Sequence, residues 1–167
     1  MSRRTTVIES LIAYISDSTG CTGHRGMKFL HELNSFPSFY VHATGESRVH
    51  IGDGTTYGML SLAIRGYQWS ESLDDVDAFG RTLETAIESF YADNREIVEE
   101  ARITSFRTDE GVMEPYGVVD ILVTIVYDAL DGINQAPKFI NYILQDSTGT
   151  AIQTPSGVNI NVPSTFK

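Results

Sequence analysis

The chain has 167 residues, of which 41% are hydrophobic and 20% are charged, a composition typical of one soluble globular domain rather than of a disordered chain. Twelve Lys and Arg residues stand against 22 Asp and Glu, and the net charge of −10 argues against a protein that grips nucleic acid as its ligand. The single Cys21 excludes an internal disulfide framework and a zinc site of paired thiolates, which favours a cytosolic setting, and no apolar run predicts a secretion signal or a membrane anchor.

The first half of the chain predicts one helix and two paired strands. Apolar residues at helical spacing predict an amphipathic helix over about residues 4–17, and glycines with small polar residues indicate a loop over residues 21–28. Two alternating runs, Ser38–Thr44 and Met59–Ile64, predict antiparallel strands. Because Gly52-Asp53-Gly54 is a strong turn signal, we expect a long protruding hairpin between them.

The second half of the chain predicts another helix and two further strands. Polar and acidic residues over 72–77 suit the start of a helix. A strand over about 101–107 and a loop over 108–117 precede the run Val118–Tyr127, which is apolar on both faces and is therefore expected to be central. The buried stripe of the helix is expected to comprise Val76, Phe79, Leu83, Ile87 and Phe90.

The order α-β-β-α-β-β predicts an α+β fold, in which two main helices pack on one face of an antiparallel β-sheet. Residues 1–128 are expected to form this domain. Residues 129–167 carry short alternating runs between turn signals and predict a C-terminal β-hairpin or arm. Because isolated hairpins are marginal in water, such an arm needs the domain or a neighbouring subunit to pack against.

Metal-dependent hydrolysis is one interpretation of the acidic residues before the second helix. Asp74, Asp75 and Asp77 could hold a hard cation together with His42 or His50. The alternative is that the acids cap the helix, since capping needs only the local sequence. His42 and His50 lack the spacing of zinc ligands and suit polar strand positions or subunit contacts.

Two further groups are weaker candidates for chemistry. Asp109, Glu110 and Glu114 could act as paired acids, but a solvated or interface-facing loop is the favoured interpretation. Cys21 has His24 nearby, but no signature of a nucleophilic site surrounds it. The sequence therefore predicts no catalytic, cofactor-binding or metal-binding residue and no cofactor.

Two segments of the chain resemble one protein family. The stretch Phe-Pro-Ser-Phe-Tyr-Val-His-Ala-Thr-Gly-Glu over residues 36–46 is similar to the tail-terminator proteins of long-tailed bacteriophages, the lambda-type minor tail protein U family. The segment Phe106–Glu110 and the alternation over Val119–Tyr127 resemble the final hairpin of that family. The resemblance covers about residues 5–128.

The resemblance implies a non-enzymatic virion protein assembled in the host cytoplasm. Such proteins form a homohexameric ring on the end of the tail tube, stop its polymerisation and present a docking surface to the head-completion or connector protein. DNA crosses the ring without specific binding, so we expect part of the net charge of −10 to line the channel and repel phosphates. Another neck component, a tail-completion or head-to-tail joining protein, is the alternative in the same class.

The resemblance also indicates which segments contact neighbouring subunits and the tube. These are the hairpin over residues 46–56 and the loop over residues 108–117. Opposite charges on two protrusions suggest that Arg48 and Arg107 pair with Asp53, Asp109 or Glu110 across a joint. The candidate contact residues are Glu46, Arg48, His50, Asp53, Arg107, Asp109, Glu110, Glu114 and Tyr116.

Overall fold

The computed structural model describes residues 2–50, 56–70, 72–109 and 116–129, together with the backbone of residues 141–143 and 161–163; Asp109 is described by its backbone alone. The first compact unit, Met1–Asp131, is built from two helices and five strands in its described part. In chain order these are α1 (Arg3–Thr19), β1 (Thr22–Arg25), β2 (Ser38–His50), β3 (Thr56–Trp69), α2 (Leu73–Asp93), β4 (Glu100–Asp109) and β5 (Tyr116–Asp128).

Helix α1 is capped by hydrogen bonds at both of its ends. The Ser2 hydroxyl accepts a hydrogen bond from the backbone N–H of Thr5 at 3.3 Å, which satisfies one of the free donors of the first turn. At the other end Gly20 adopts a φ of 73°, and its N–H donates to the Ser16 carbonyl at 2.9 Å. Only glycine adopts this left-handed conformation without strain, so the helix ends there.

Helix α2 follows the predicted stripe, and all five of its predicted core residues are buried. Ser72 is the N-cap residue, although its side chain makes no capping hydrogen bond. Instead Asp74 and Asp75 lie in the first turn, where the helix dipole favours carboxylates. The Ser70 hydroxyl donates to Asp75 at 2.8 Å and fixes the entry to the helix.

The five strands form one mixed sheet in the order β1-β2-β3-β5-β4. The predicted α+β class is confirmed, and both helices pack into the same core on one face of the sheet. One detail of the prediction is wrong, because the loop predicted over residues 21–28 contains β1, which pairs in parallel with β2. Gly23 lies so close to Phe39 that a Cβ there would come within 2.6 Å of its ring. Because a glycine has no side chain, β1 lacks the alternation of apolar and polar residues that predicts a strand.

The side chains of the sheet divide between two faces, here called the inner and the outer face. The inner face lies under α1 and α2 and includes Leu62, Ile64 and Val123, all fully buried. Register shifts at residues 44 and 104 reverse the alternation in β2 and β4. At both shifts a threonine hydroxyl donates to the neighbouring strand: Thr44 to the Ser61 carbonyl and Thr104 to the Leu122 carbonyl, each at 3.1 Å.

The outer face is covered at one end by the segment between β1 and β2. This segment includes a short 3₁₀ turn, Leu30–Glu32. Leu33 from it forms a second buried cluster with Tyr40, Tyr67 and Val118 of the outer face. The helices of the domain therefore cover one face, and an irregular segment covers part of the other.

The second compact unit is Gly132–Lys167. Its described backbone consists of β6 (Asn141–Ile143) and β7 (Asn161–Pro163), which form an antiparallel pair. The division of the chain into domains at residues 128 and 129 stays a prediction.

Candidate interaction surfaces

Glu46 anchors the base of the β2–β3 hairpin from within the subunit. Its carboxylate accepts a hydrogen bond from the Tyr127 hydroxyl at 3.0 Å and from Arg48 Nε at 3.3 Å, and its other oxygen lies 3.4 Å from Arg4 Nη1. The side chain is only 13% exposed. The register shift at residue 44 turns Glu46 to the inner face, so this predicted contact residue links the hairpin to α1 and β5.

Tyr127 is the buried partner in this network. Burial, together with the hydrogen bond to Glu46, raises the pKa of Tyr127 to about 12. Gly58 on β3 lies against the tyrosine ring, where a Cβ would come within 2.6 Å of it. The hairpin base is thus fixed both by packing and by a charged hydrogen bond.

The far half of β2 has one edge without a strand neighbour in the described ranges. β1 pairs only with Ser38–Val41, and the strand continues to His50. Arg48 and His50 are exposed there, and His50 Nδ1 lies 2.8 Å from the Thr56 hydroxyl across the hairpin. A free edge of this kind presents unpaired backbone groups to a neighbouring molecule.

A cross-strand row of one tyrosine and three charged side chains crosses the outer face. In register order the row is Tyr40, Arg65, Asp120 and Arg107. Arg65 makes two hydrogen bonds to Asp120, at 2.5 and 2.8 Å, and these bonds raise the pKa of the guanidinium. Arg107 is exposed and makes no ion pair with any side chain that the structure describes.

Exposed apolar side chains also lie on the outer face. Leu122 of β5 is 44% exposed and Met59 of β3 is 39% exposed. Val49, near the tip of the hairpin, is exposed on the same face. Together with Arg65, Asp120 and Arg107, these side chains give the outer face both apolar and charged groups.

Three aromatic side chains meet at the end of the sheet opposite the hairpin tip. The ring centroids of Trp69 and Tyr116 are 4.9 Å apart, and Phe36 lies 5.2 Å from Tyr116 and 6.1 Å from Trp69. Trp69 is 57% exposed. The sequence predicts Tyr116 as a contact residue but does not single out Trp69 or Phe36, because the three rings come together only through the register that places Trp69 opposite Tyr116.

The contact roles of all the predicted residues stay predictions. Asp53, Glu110 and Glu114 lie outside the described residues, and Asp109 is placed only by its backbone, opposite Val118. The pairing of Arg48 or Arg107 with these acids therefore stays a prediction.

The residues considered for metal binding or catalysis are dispersed over the fold. Across the described ranges, no three His, Cys, Asp or Glu residues come together in a group that could hold a metal ion. Asp74 and Asp75 face solvent on α2, whereas His42 lies on the outer face of β2. Cys21 is buried, and burial raises the pKa of its thiol, which disfavours the reactive thiolate. None of the described helices is long and apolar enough to span a membrane.

Comparison with solved structures gives 31 matching chains. No family model matches the chain, and no curated protein matches its sequence. A solved chain from a structure described as "Virion of native gene transfer agent (GTA) particle" is 9% identical, with a TM-score of 0.38 over 70% of this chain and 85% of that chain. A TM-score this low does not establish a common fold.

Proposed function

We propose that this protein is a structural component of a phage-like virion, which acts by assembling with copies of itself and with other virion proteins. The observation that carries the proposal is the contrast between the two faces of its sheet. The inner face is buried under α1 and α2, whereas the outer face leaves Leu122, Met59 and Arg107 exposed. A surface of mixed apolar and charged groups on a stable scaffold suits a protein that works by contact.

Within this class we propose a tail terminator, a ring of six subunits that caps the tail tube and docks the head connector. The segment over residues 36–46 that resembles this family forms the start of β2, and the alternation over Val119–Tyr127 forms an interior strand. The long β2–β3 hairpin, anchored at Glu46, then supplies an arm toward a neighbouring subunit or the tube.

The acidic composition supports the same proposal. A channel that DNA must cross quickly benefits from carboxylates, because they repel phosphates and shorten the residence of the genome. The net charge of −10 provides enough acids for a ring to present a negative lumen on every subunit.

Native mass and shape test this function directly. We would measure the mass of the purified full chain by light scattering over a range of concentrations and image the same fractions by negative stain. Rings of six with a central hole are expected. A protein that stays monomeric at every concentration contradicts the proposal.

A further inference from the structure

We infer that the outer face of the sheet is covered by helix α2 of a second copy of this chain, whose acidic exposed face meets Arg107. The inference rests on the proposed function and deepens it, because it names the joint between neighbouring subunits. It also assigns Arg107 a partner on α2 in place of the acids of the loop over residues 108–117.

Strand β5 is buried on its inner side and partly apolar on its outer side. Its inner residues, such as Val119 and Val123, lie under the helices. Its outer residues include Val118, which is buried by the segment before β2, and Leu122, which remains 44% exposed. The outer positions of β5 also include Asp120 and Thr124, so this side is mixed, and the exposed Leu122 and Met59 mark where a partner would bury apolar surface.

Among the outer-face side chains that the structure describes, Arg107 is a cation that makes no ion pair. Arg65 is paired with Asp120, and Arg102 lies 3.3 Å from Glu100. Arg107 stands opposite Asp120 in the register, but that carboxylate already accepts two hydrogen bonds from Arg65. Arg107 lies at a shallow depression that is also lined by Ala63, Arg65, Ser105, Asp120 and Leu122.

Charge complementarity selects α2 as the occupant of this face. The helix carries six carboxylates and one arginine, whereas α1 carries two of each sign. Asp77 and Glu88 are exposed on α2 and make no ion pair with the described side chains. The small exposed residues Ala78 and Thr85 lie on the same side of the helix and allow a sheet to approach closely.

The two surfaces lie on opposite sides of the subunit, so a ring requires each joint to add a rotation that closes after six subunits. Helix α2 packs on the inner face, so its exposed side and the outer face of the sheet look in opposite directions. A contact between two different patches is heterologous and joins subunits head to tail. Each joint then places a sheet between the helices of its own subunit and a helix of the next.

Charge reversal tests the joint. Arg107→Glu alone and the double variant Asp77→Lys/Glu88→Lys alone are each expected to lose the assembled species in light scattering. An equimolar mixture of the two variants is expected to recover the assembled species. In a ring where the two variants alternate, every joint pairs opposite charges. Arg95→Glu is the matched control, because it makes the same charge change on an exposed arginine beyond α2 and should assemble as the wild type does.

The outcomes separate this joint from the proposed function. A wild type that forms rings, with Arg107→Glu forming them equally well, overturns the joint and leaves the function standing. Loss with Arg107→Glu but not with the α2 variant overturns α2 as the occupant. A wild type that never assembles overturns both. If the lysine variant fails to fold, as judged by circular dichroism, Thr85→Tyr blocks the same helix face without a charge and is expected to abolish assembly.

Discussion

Neighbouring residues of one strand show how differently the two faces of the sheet are used. Val123 is 1% exposed under the helices, whereas Leu122 beside it is 44% exposed on the outer face. Both are aliphatic, so the difference lies in what the fold provides on each side. The inner face is completed within the subunit, and the outer face is completed, in our account, by a neighbour.

Truncating one leucine on each face should produce the largest difference in the free energy of unfolding between the two faces. Leu62→Ala on the inner face is expected to lower the free energy of unfolding by about 2–5 kcal/mol, because it leaves a cavity in a packed core. Leu122→Ala should cost less than about 1 kcal/mol in the monomer and act instead on assembly. Urea denaturation of both variants measures this, and equal losses would show that the outer face is already buried within the subunit.

A glycine on the inner side tests how closely α2 approaches the sheet. A Cβ at Gly117 would lie 2.0 Å from a methyl group of Val76, so Gly117→Ala is expected to cost about 1–3 kcal/mol through overpacking. Gly45→Ala, on the exposed part of β2, meets no atom within 4 Å and should be near neutral. Thermal melting compares the two, and a neutral Gly117→Ala would contradict the close packing.

The Tyr127–Glu46 hydrogen bond should make stability depend on alkaline pH. The pKa of Tyr127 is raised to about 12 in the folded protein, above its ordinary value of 10.0, so its contribution is complete below pH 10 and is lost as pH rises toward 12. Tyr127→Phe should cost about 1 kcal/mol at neutral pH and show a shallower alkaline decline.

Burial also raises the pKa of Tyr40, and a hydrogen bond to Asp93 raises that of Tyr14. The measurement is therefore the difference between wild type and Tyr127→Phe in denaturation from pH 9 to 12. If the stabilities of the two proteins fall in parallel between pH 9 and 12, Tyr127 is not the source of the alkaline pH dependence.

The ion pair between Arg65 and Asp120 on the outer face should contribute least to the stability of the subunit. Arg65 and Asp120 are 41% and 39% exposed, so water screens their attraction in the monomer. A double-mutant cycle with Arg65→Met and Asp120→Asn is expected to give a coupling of about 0.2–1 kcal/mol that falls with added salt. A coupling several times larger and insensitive to salt would mean that the pair is already covered in the monomer.

The sequence predicts the inner face better than the outer one. The stripe from Val76 to Phe90 and the alternation over Val119–Tyr127 are local patterns, and both were found as predicted. Glu46 was predicted as a contact but lies inward, because a register shift cannot be read from alternation alone. The row of Arg65, Asp120 and Arg107 joins residues distant in the chain and emerges only from the strand order.

Oxidative footprinting of Met59 tests most directly whether a second copy covers the outer face. Hydroxyl radicals are expected to oxidise Met59, 39% exposed in the subunit, several-fold more slowly in assembled wild type than in Arg107→Glu. Free methionine added to both samples serves as the reference for the radical dose. Equal oxidation of Met59 in the two proteins would contradict the account.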